Sequence, residues 1–470
     1  MASSKGKRFT VAAVAAAALL VPAFASGTAS AKSKGKVLTV CKHGCKYRTI
    51  QAAVDASGRG ATVRVKPGKY VEGVQVSGSR HDGLKIIGTG RKPGAVVLDG
   101  KNAKLRDGSL ANNGVEGIGV DRLTVANMKV MRYAANGVYT HGSSDNKATA
   151  CHGYTMRNMV AAFNRSYGLF AFNCIGGRMT DSVGYGQGDS AYYVGGTPFQ
   201  SKPKWTSLDH LTGFRNVLGF SGTNSKYVNI HDNDFFNNGA GIVPNTLDSE
   251  PYEPTTGGVI QDNNIFWNNF NYYLPASNVK TVSGGLGTVG TLELNYPIGA
   301  GVIVFGGDGW TVKNNRIFGN YQWGAAAFSD PFNTGDDATS RNNRFIDNKM
   351  GRNGTDKNGT AVYGADFWVD GSGSGNCFSG NGAAATFDPS SVNTLAFLYP
   401  SCPAPGSSGT GTSIGDTDQQ FGDLINYVGS DNTNPADGPE QMECGWTQHS
   451  HPAFKGYKPL KITPGPVCLP

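Results

Sequence analysis

The strongest constraint on this chain is a phrase that recurs between about residues 120 and 350. A short apolar/polar run ends in Asn or Asp, and a second run follows about ten residues later. It reads Leu123-Thr124-Val125-Ala126-Asn127, Tyr154-Thr155-Met156-Arg157-Asn158, Arg178-Met179-Thr180-Asp181, Asn229-Ile230-His231-Asp232, Val259-Ile260-Gln261-Asp262, Thr311-Val312-Lys313-Asn314 and Thr339-Ser340-Arg341-Asn342. The intervals are 158−127 = 31, 181−158 = 23, 262−232 = 30 and 342−314 = 28. Two wider gaps, 232−181 = 51 and 314−262 = 52, each leave room for one more turn, the first through Leu208-Asp209-His210. The second run keeps its offset, since 137−127, 168−158, 191−181 and 324−314 all equal 10. It supplies Gly137-Val138-Tyr139, Gly168-Leu169-Phe170, Ala191-Tyr192-Tyr193 and Gly324-Ala325-Ala326. A fixed internal offset inside a variable total length means rigid strands joined by elastic loops.

Helical repeats of similar length need apolar residues at i, i+3, i+4 and i+7. These runs are short, alternate with period two and are rich in Val, Ile, Phe and Tyr. The leucine spacing of leucine-rich repeats is absent. The predicted fold is therefore all-β: a solenoid of stacked parallel coils, each bonded to its neighbours above and below. Asn suits the corners because it tolerates the left-handed conformation and its amide can bond the same side chain one coil away. Pairs such as Asn237-Asn238, Asn268-Asn269, Asn314-Asn315 and Asn342-Asn343 are thereby explained without a ligand. The 67 glycines in 470 residues fit tight corners.

Residues 1–31 have the pattern of a secretory signal: basic Lys5-Gly6-Lys7-Arg8, an apolar stretch from Phe9 to Phe24, and the small-residue site Ala29-Ser30-Ala31. The product is expected to be secreted, extracellular and free of the membrane once the signal is removed. Removal would take the formal charge from +8 to +8−3 = +5, too mild a balance to indicate nucleic acid and compatible with an acidic glycan. Export also makes eight cysteines readable as four disulfides. Local pairing suggests Cys41 with Cys45, Cys151 with Cys174, Cys377 with Cys402 and Cys444 with Cys468, with other pairings open. A linker follows over 32–36, a cap and first coils over 37–118, repeats over 119–380, and a C-terminal cap with a Pro/Ser/Gly/Thr-rich tail over 381–470.

The N-terminal stretch carries Tyr47-Arg48-Thr49-Ile50-Gln51-Ala52-Ala53-Val54-Asp55-Ala56, a short amphipathic helix. Then come Ala61-Thr62-Val63-Arg64-Val65-Lys66-Pro67-Gly68-Lys69-Tyr70, Leu84-Lys85-Ile86-Ile87-Gly88 and Val96-Val97-Leu98-Asp99-Gly100. In this order they resemble the cap and first coils of the pectin-lyase-like right-handed parallel β-helix superfamily. The resemblance implies a right-handed parallel β-helix with a short N-terminal capping helix and an irregular, disulfide-tied C-terminal tail. It also implies a carbohydrate substrate, commonly a uronic-acid polymer. Activity does not follow from it, because this fold carries lyases, glycosidases, esterases, epimerases and proteins without proven catalysis. The polygalacturonase set is missing, Asp336-Asp337 standing alone. The Asp-Pro-His-Asp signature of alginate epimerases is missing too, His81-Asp82 and His231-Asp232 being fragments of it.

Candidate site residues come from interruptions of the repeat, where loops leave a rigid scaffold. The insertion Pro244-Asn245-Thr246-Leu247-Asp248-Ser249-Glu250-Pro251-Tyr252-Glu253-Pro254 concentrates carboxylates beside Tyr252 and Tyr272, and Gly188-Asp189-Ser190 precedes another second run. Asp189, Asp248, Glu250 and His231 are the candidate catalytic groups, with Lys226 and Arg215 as further bases. Tyr192, Tyr252, Tyr272 and Trp323 are the candidate sugar platforms. Calcium is a candidate cofactor at Asp189, Asp248 and Asp330. The leading expectation is a monomeric enzyme acting on a polysaccharide or cell-wall glycan as lyase, hydrolase or epimerase. The rival is a non-catalytic glycan-binding or cell-envelope protein. Copper delivery is weaker, resting on His449 and His451 alone.

Overall fold

The computed structural model describes residues 35–143, 149–270, 272, 296, 298–329, 339–354, 365–369, 373–382, 387–388 and 400–402. The signal expected over 1–31, Asp330, Asp336-Asp337, His449, His451, Cys444 and Cys468 lie outside them. One compact unit begins at Gly35, and it is a parallel β-helix.

Each coil contributes three strand segments. In Leu123–Met131 the first two are one strand bent at Asn127, and Val138–His141 is the third. Later coils separate the first two, as in Val228–His231 and Asp234–Phe236, followed by Ala240–Asn245. First and second segments stack into an 18-stranded parallel assembly, and third segments into one of 11 strands. Register is strict. One inward row runs from Ile86 through Val125, Met156, Leu208 and Ile260 to Phe378, buried throughout. Such side chains each contribute about 1.5–3 kcal/mol on burial, so the core is a narrow column rather than a single centre.

All seven residues that close the repeated phrase adopt the left-handed conformation: Asn127, Asn158, Asp181, Asp232, Asp262, Asn314 and Asn342, with φ between 50° and 57°. The main ladders, however, are carried by the residue that follows the corner and by a second inward Asn. In one, Asn233, Asn263, Asn315, Asn348 and Asn381 bond Nδ2 to Oδ1 across successive coils at 2.9–3.0 Å. In the other, Asn216, Asn238, Asn268, Asn320 and Asn353 do the same at 2.9–3.1 Å. The corner itself is filled for its backbone, and the ladder residue is buried for its amide.

The extra turn expected in the 51-residue gap is present as Thr206–Phe214, paired with Gly177–Tyr185 before it and Val228–His231 after it. The 52-residue gap holds none, a correction to the expected room for a turn. Ile260 pairs directly with Val312, and Asn264–Phe266 with Arg316–Phe318, so no further coil lies between these two in the stack.

The capping helix spans Ile50–Asp55, shorter than the run in sequence because Thr49 is its N-cap, accepting from the Ala52 N–H at 3.2 Å. The Glu72 carboxylate takes the next two free N–H groups, Ile50 and Gln51, at 3.0 Å each, a favourable charge for a helix N-terminus. Ile50, Ala53 and Val54 close the open end of the core. Disulfides join Cys41 to Cys45, Cys151 to Cys174 and Cys377 to Cys402. The middle bridge links register partners of two short paired strands. Among the described residues, no helix is long and apolar enough to cross a membrane.

Candidate functional site

Strand alternation decides which second-run residues look outward. On the third-strand sheet, Val138, Leu169, Tyr192 and Phe220 occupy one register row inside the core. Their successors or predecessors therefore point out. The outward row is Glu116, Tyr139, Phe170 and Tyr193 on four consecutive coils.

These rings form a continuous shelf. Tyr139 and Phe170 stack at 4.3 Å and 9° between planes, and Tyr139 also stacks on His141 at 4.3 Å. Tyr167 approaches both Phe170 and Tyr193 at 4.6 Å. Tyr139, Tyr167 and Phe170 are half-buried, while Tyr193 is covered. Tyr139 and Phe170 turn their faces to each other, so the row offers a ligand a continuous strip of ring edges with the Tyr139 and Tyr167 hydroxyls among them.

Two carboxyls stand at the Tyr193 end. The Tyr193 hydroxyl donates to Glu250 Oε2 at 3.2 Å, and Tyr167 is the hydrogen-bond partner of Asp189. Asp189 is 3% exposed and its Oδ1 has no partner, a costly arrangement for an ionised group. Burial pushes Asp189 up to about 7, the Tyr167 hydrogen bond pulling back and the Glu250 charge adding to the rise. Burial likewise pushes Glu250 up to about 7, offset by the Tyr193 hydrogen bond. The phenols of Tyr167 and Tyr193 are raised well above their ordinary value, burial first, so both are donors at neutral pH. At the other end, Glu116 behaves differently: His141, at 3.6 Å, and Gln75, at 3.2 Å, hold it below the ordinary carboxylate value against the effect of burial.

The loop that brings Glu250 in is tied from beneath. Asn224 Nδ2 donates to the carbonyls of Leu247 and Glu250 at 2.7 and 2.9 Å, and its Oδ1 accepts from the Leu247 N–H at 3.1 Å. The buried Lys226 ammonium donates to the carbonyls of Tyr252 and Pro254 and lies over the Phe199 ring at 4.3 Å. Lys226, a candidate base in sequence, is thus a clamp on the loop.

The structure brings together Asp189 and Glu250, and separates the rest. Asp248 is exposed on the same loop. His231 stands on the other assembly, bonded to Ser207 and Asp232. Tyr192 is a correction: it is fully buried in the inward row, its hydroxyl donating to the Ser182 and Thr212 carbonyls at 2.8 and 2.9 Å, so no ring face is free for a sugar. Tyr272 is 1% exposed with its hydroxyl donating to the Tyr296 carbonyl. Trp323 stacks on Trp368 at 4.9 Å and is 7% exposed. Both belong to an apolar cluster and offer no platform as they stand. Tyr252 is half-buried at φ 66°. Arg215 is 5% exposed beside the Phe270 ring, and burial lowers its pKa. Among the described residues no three His, Cys, Asp or Glu side chains converge to hold a metal ion; Asp330, the third member of the calcium site expected from sequence, lies outside them.

Tyr139, Tyr167, Phe170, Tyr193, Glu116 and His141 were missed by sequence reasoning. A signal for three of them existed, since 139−127, 170−158 and 193−181 all equal 12. A fixed offset puts aromatic residues at one coil position on three successive turns.

No family model and no curated protein matches the chain. Among solved structures, it is similar to the A-module of mannuronan C-5 epimerase AlgE4 of Azotobacter vinelandii, at 16% identity and TM-score 0.47, covering 71% of this chain and 89% of that one. A complex of XylC with xylose is similar at 11% identity and TM-score 0.46, covering 75% and 76%. Pectate lyase Pel9A is similar at 16% identity and TM-score 0.39, covering 82% and 90%. The strand register of this chain itself, with its helical cap, defines a parallel β-helix architecture.

Proposed function

We propose that this protein is a secreted enzyme that cleaves glycosidic bonds of a polysaccharide, with Asp189 and Glu250 as its acid and base. The observation that carries this reading is the carboxyl pair: both groups are raised to about 7, and each is partnered with a phenol at the end of an aromatic shelf. A coupled pair of this kind holds roughly one proton near neutral pH, so one member can donate to a leaving oxygen while the other acts as base or nucleophile. Tyr139, Phe170 and Tyr167 would seat sugar rings leading up to the pair, and the ionised Glu116 beside His141 would meet hydroxyl groups. Three disulfides and the leader pattern over residues 1–31 support export.

The half-buried shelf combined with the deep burial of Asp189 also favours a second reading, glycan binding without chemistry. Release of reducing ends from a panel of neutral and uronic-acid polysaccharides separates the two. Turnover by the wild type that drops about 100-fold or more in both Asp189→Asn and Glu250→Gln is the expected result. Binding without turnover would give the protein to the second reading, and turnover unaffected by either substitution would remove the pair from the mechanism.

A further inference from the structure

On the other assembly of the solenoid, the strand Thr206–Phe214 and the strand Val228–His231 lie side by side in register. Ser207 Oγ is 3.1 Å from His231 Nε2, and His231 Nδ1 is 2.8 Å from Asp232 Oδ2. We propose that Ser207, His231 and Asp232 form a second active site, a serine nucleophile with its base and orienting carboxylate, that hydrolyses short acyl esters.

The order of contacts is what nucleophilic catalysis by serine requires. A proton on Nδ1 donated to Asp232 fixes the tautomer that leaves Nε2 with a lone pair, facing the hydroxyl it must deprotonate. The Ser207 hydroxyl also reaches Asp209 Oδ1 at 3.0 Å, a carboxylate with several other partners. Arg178 reaches it twice, at 2.9 and 2.7 Å, Thr180 at 2.8 Å and His210 at 2.9 Å. An ionised carboxylate offers about four acceptor sites. Three of these donors fall on Oδ2 and only Arg178 Nε joins Ser207 on Oδ1, so the single Ser207 proton has two acceptors, Asp209 Oδ1 and His231 Nε2, and attack requires it to turn to His231.

Charge developing on an attacked carbonyl has donors on both sides. Arg178 is the register partner of Ser207 on the preceding coil and Asn229 its partner on the next, each about 4.8 Å away along the stack. Arg178 uses Nε and Nη2 on Asp209, leaving Nη1. Asn229 accepts from Gln261 through Oδ1 at 3.1 Å, leaving Nδ2. Two donors on the register neighbours of the nucleophile are the groups that would supply an oxyanion site.

The reaction balances with water alone. Ser207 Oγ bonds to the acyl carbon as its proton passes to Nε2, the ester C–O bond breaks, and the departing alkoxide takes that proton. Water repeats the sequence, releasing the acid and restoring the serine. The surface is open, with the Arg178 and Asp232 side chains 56% and 55% exposed. An open face suits a small acyl group on a large alcohol, such as an acetyl-type ester on a polymer hydroxyl, and gives no burial for a long chain. No residue is shared with the Asp189 and Glu250 site.

The test uses the full chain with p-nitrophenyl acetate as substrate and an alkyl fluorophosphonate as label. Hydrolysis by the wild type, labelling at Ser207 located by peptide mass spectrometry, and a fall of about 100-fold or more in Ser207→Ala with unchanged melting temperature are expected. Asp232→Asn should lower kcat while leaving KM and the fold intact. Folded wild type that takes no label, or takes it at another residue, overturns the proposal whatever the variants do. So does hydrolysis that persists undiminished in folded Ser207→Ala.

Discussion

Adjacent tyrosines show how much a single position decides in a strand. Tyr192 and Tyr193 are neighbours in sequence, yet one fills the core and the other supports the Glu250 carboxyl. The offset from the corner was legible, but which of two aromatics faces out depends on where the alternation starts, and Gly168 and Ala191 do not mark it. Asp189 and Glu250 were legible only as loop carboxylates; their convergence depends on Asn224 and Lys226 tying the loop down. Asp189 also carries a stability prediction. Its pKa rises in the fold from the ordinary 3.8 to about 7, so the native state prefers the protonated form. The sign follows: this preference adds to stability in full below about pH 4 and is lost as pH rises through 7, a change on the order of 4 kcal/mol. Asp189→Asn, which mimics the protonated carboxyl, should therefore gain stability relative to the wild type between pH 4 and pH 8 in urea melts. A constant difference across that range would contradict the assigned burial of the charge.

At the scale of the strand and its corner, the repeated phrase carries two jobs on neighbouring residues. The corner residue needs only a left-handed backbone, which glycine supplies as well; the next residue needs an amide. Asn263 receives the Asn233 N–H and Nδ2 on its Oδ1 and donates to Asn315 and to the Ile230 carbonyl. Asn263→Ala should cost about 3 kcal/mol or more, because it strands several buried polar groups at about 1–3 kcal/mol each. Asp262→Gly, one residue away and exposed, should stay within about 0.5 kcal/mol of the wild type. Urea midpoints of the two variants measure the contrast, and equal costs would put the ladder at the corner instead. The sequence made the Asn pairs visible; it could not say which member was buried, since both are polar and adjacent.

For the molecule as a whole, periodicity was enough to define a solenoid because every coil repeats the same requirement: three short strands, two sharp corners and an inward apolar row. The cap was legible for the same reason, as an amphipathic helix placed where the column would otherwise end open. The absence of an extra coil between 262 and 314 was not, because that gap of 52 is within one residue of the 51 that holds a real coil elsewhere, and only the pairing of Ile260 with Val312 distinguishes them. A solenoid presents several long faces, and function depends on which one carries substrate. The most direct measurement is a crystal structure of Asp189→Asn, with hydrolysis slowed, soaked with oligosaccharide fragments of whichever polymer the wild type cleaves or binds. Sugar rings lying along Tyr139, Phe170 and Tyr167, with a glycosidic oxygen within hydrogen-bond reach of Glu250 or residue 189, are the predicted result. Fragments seated on another face, with the shelf empty, would contradict it.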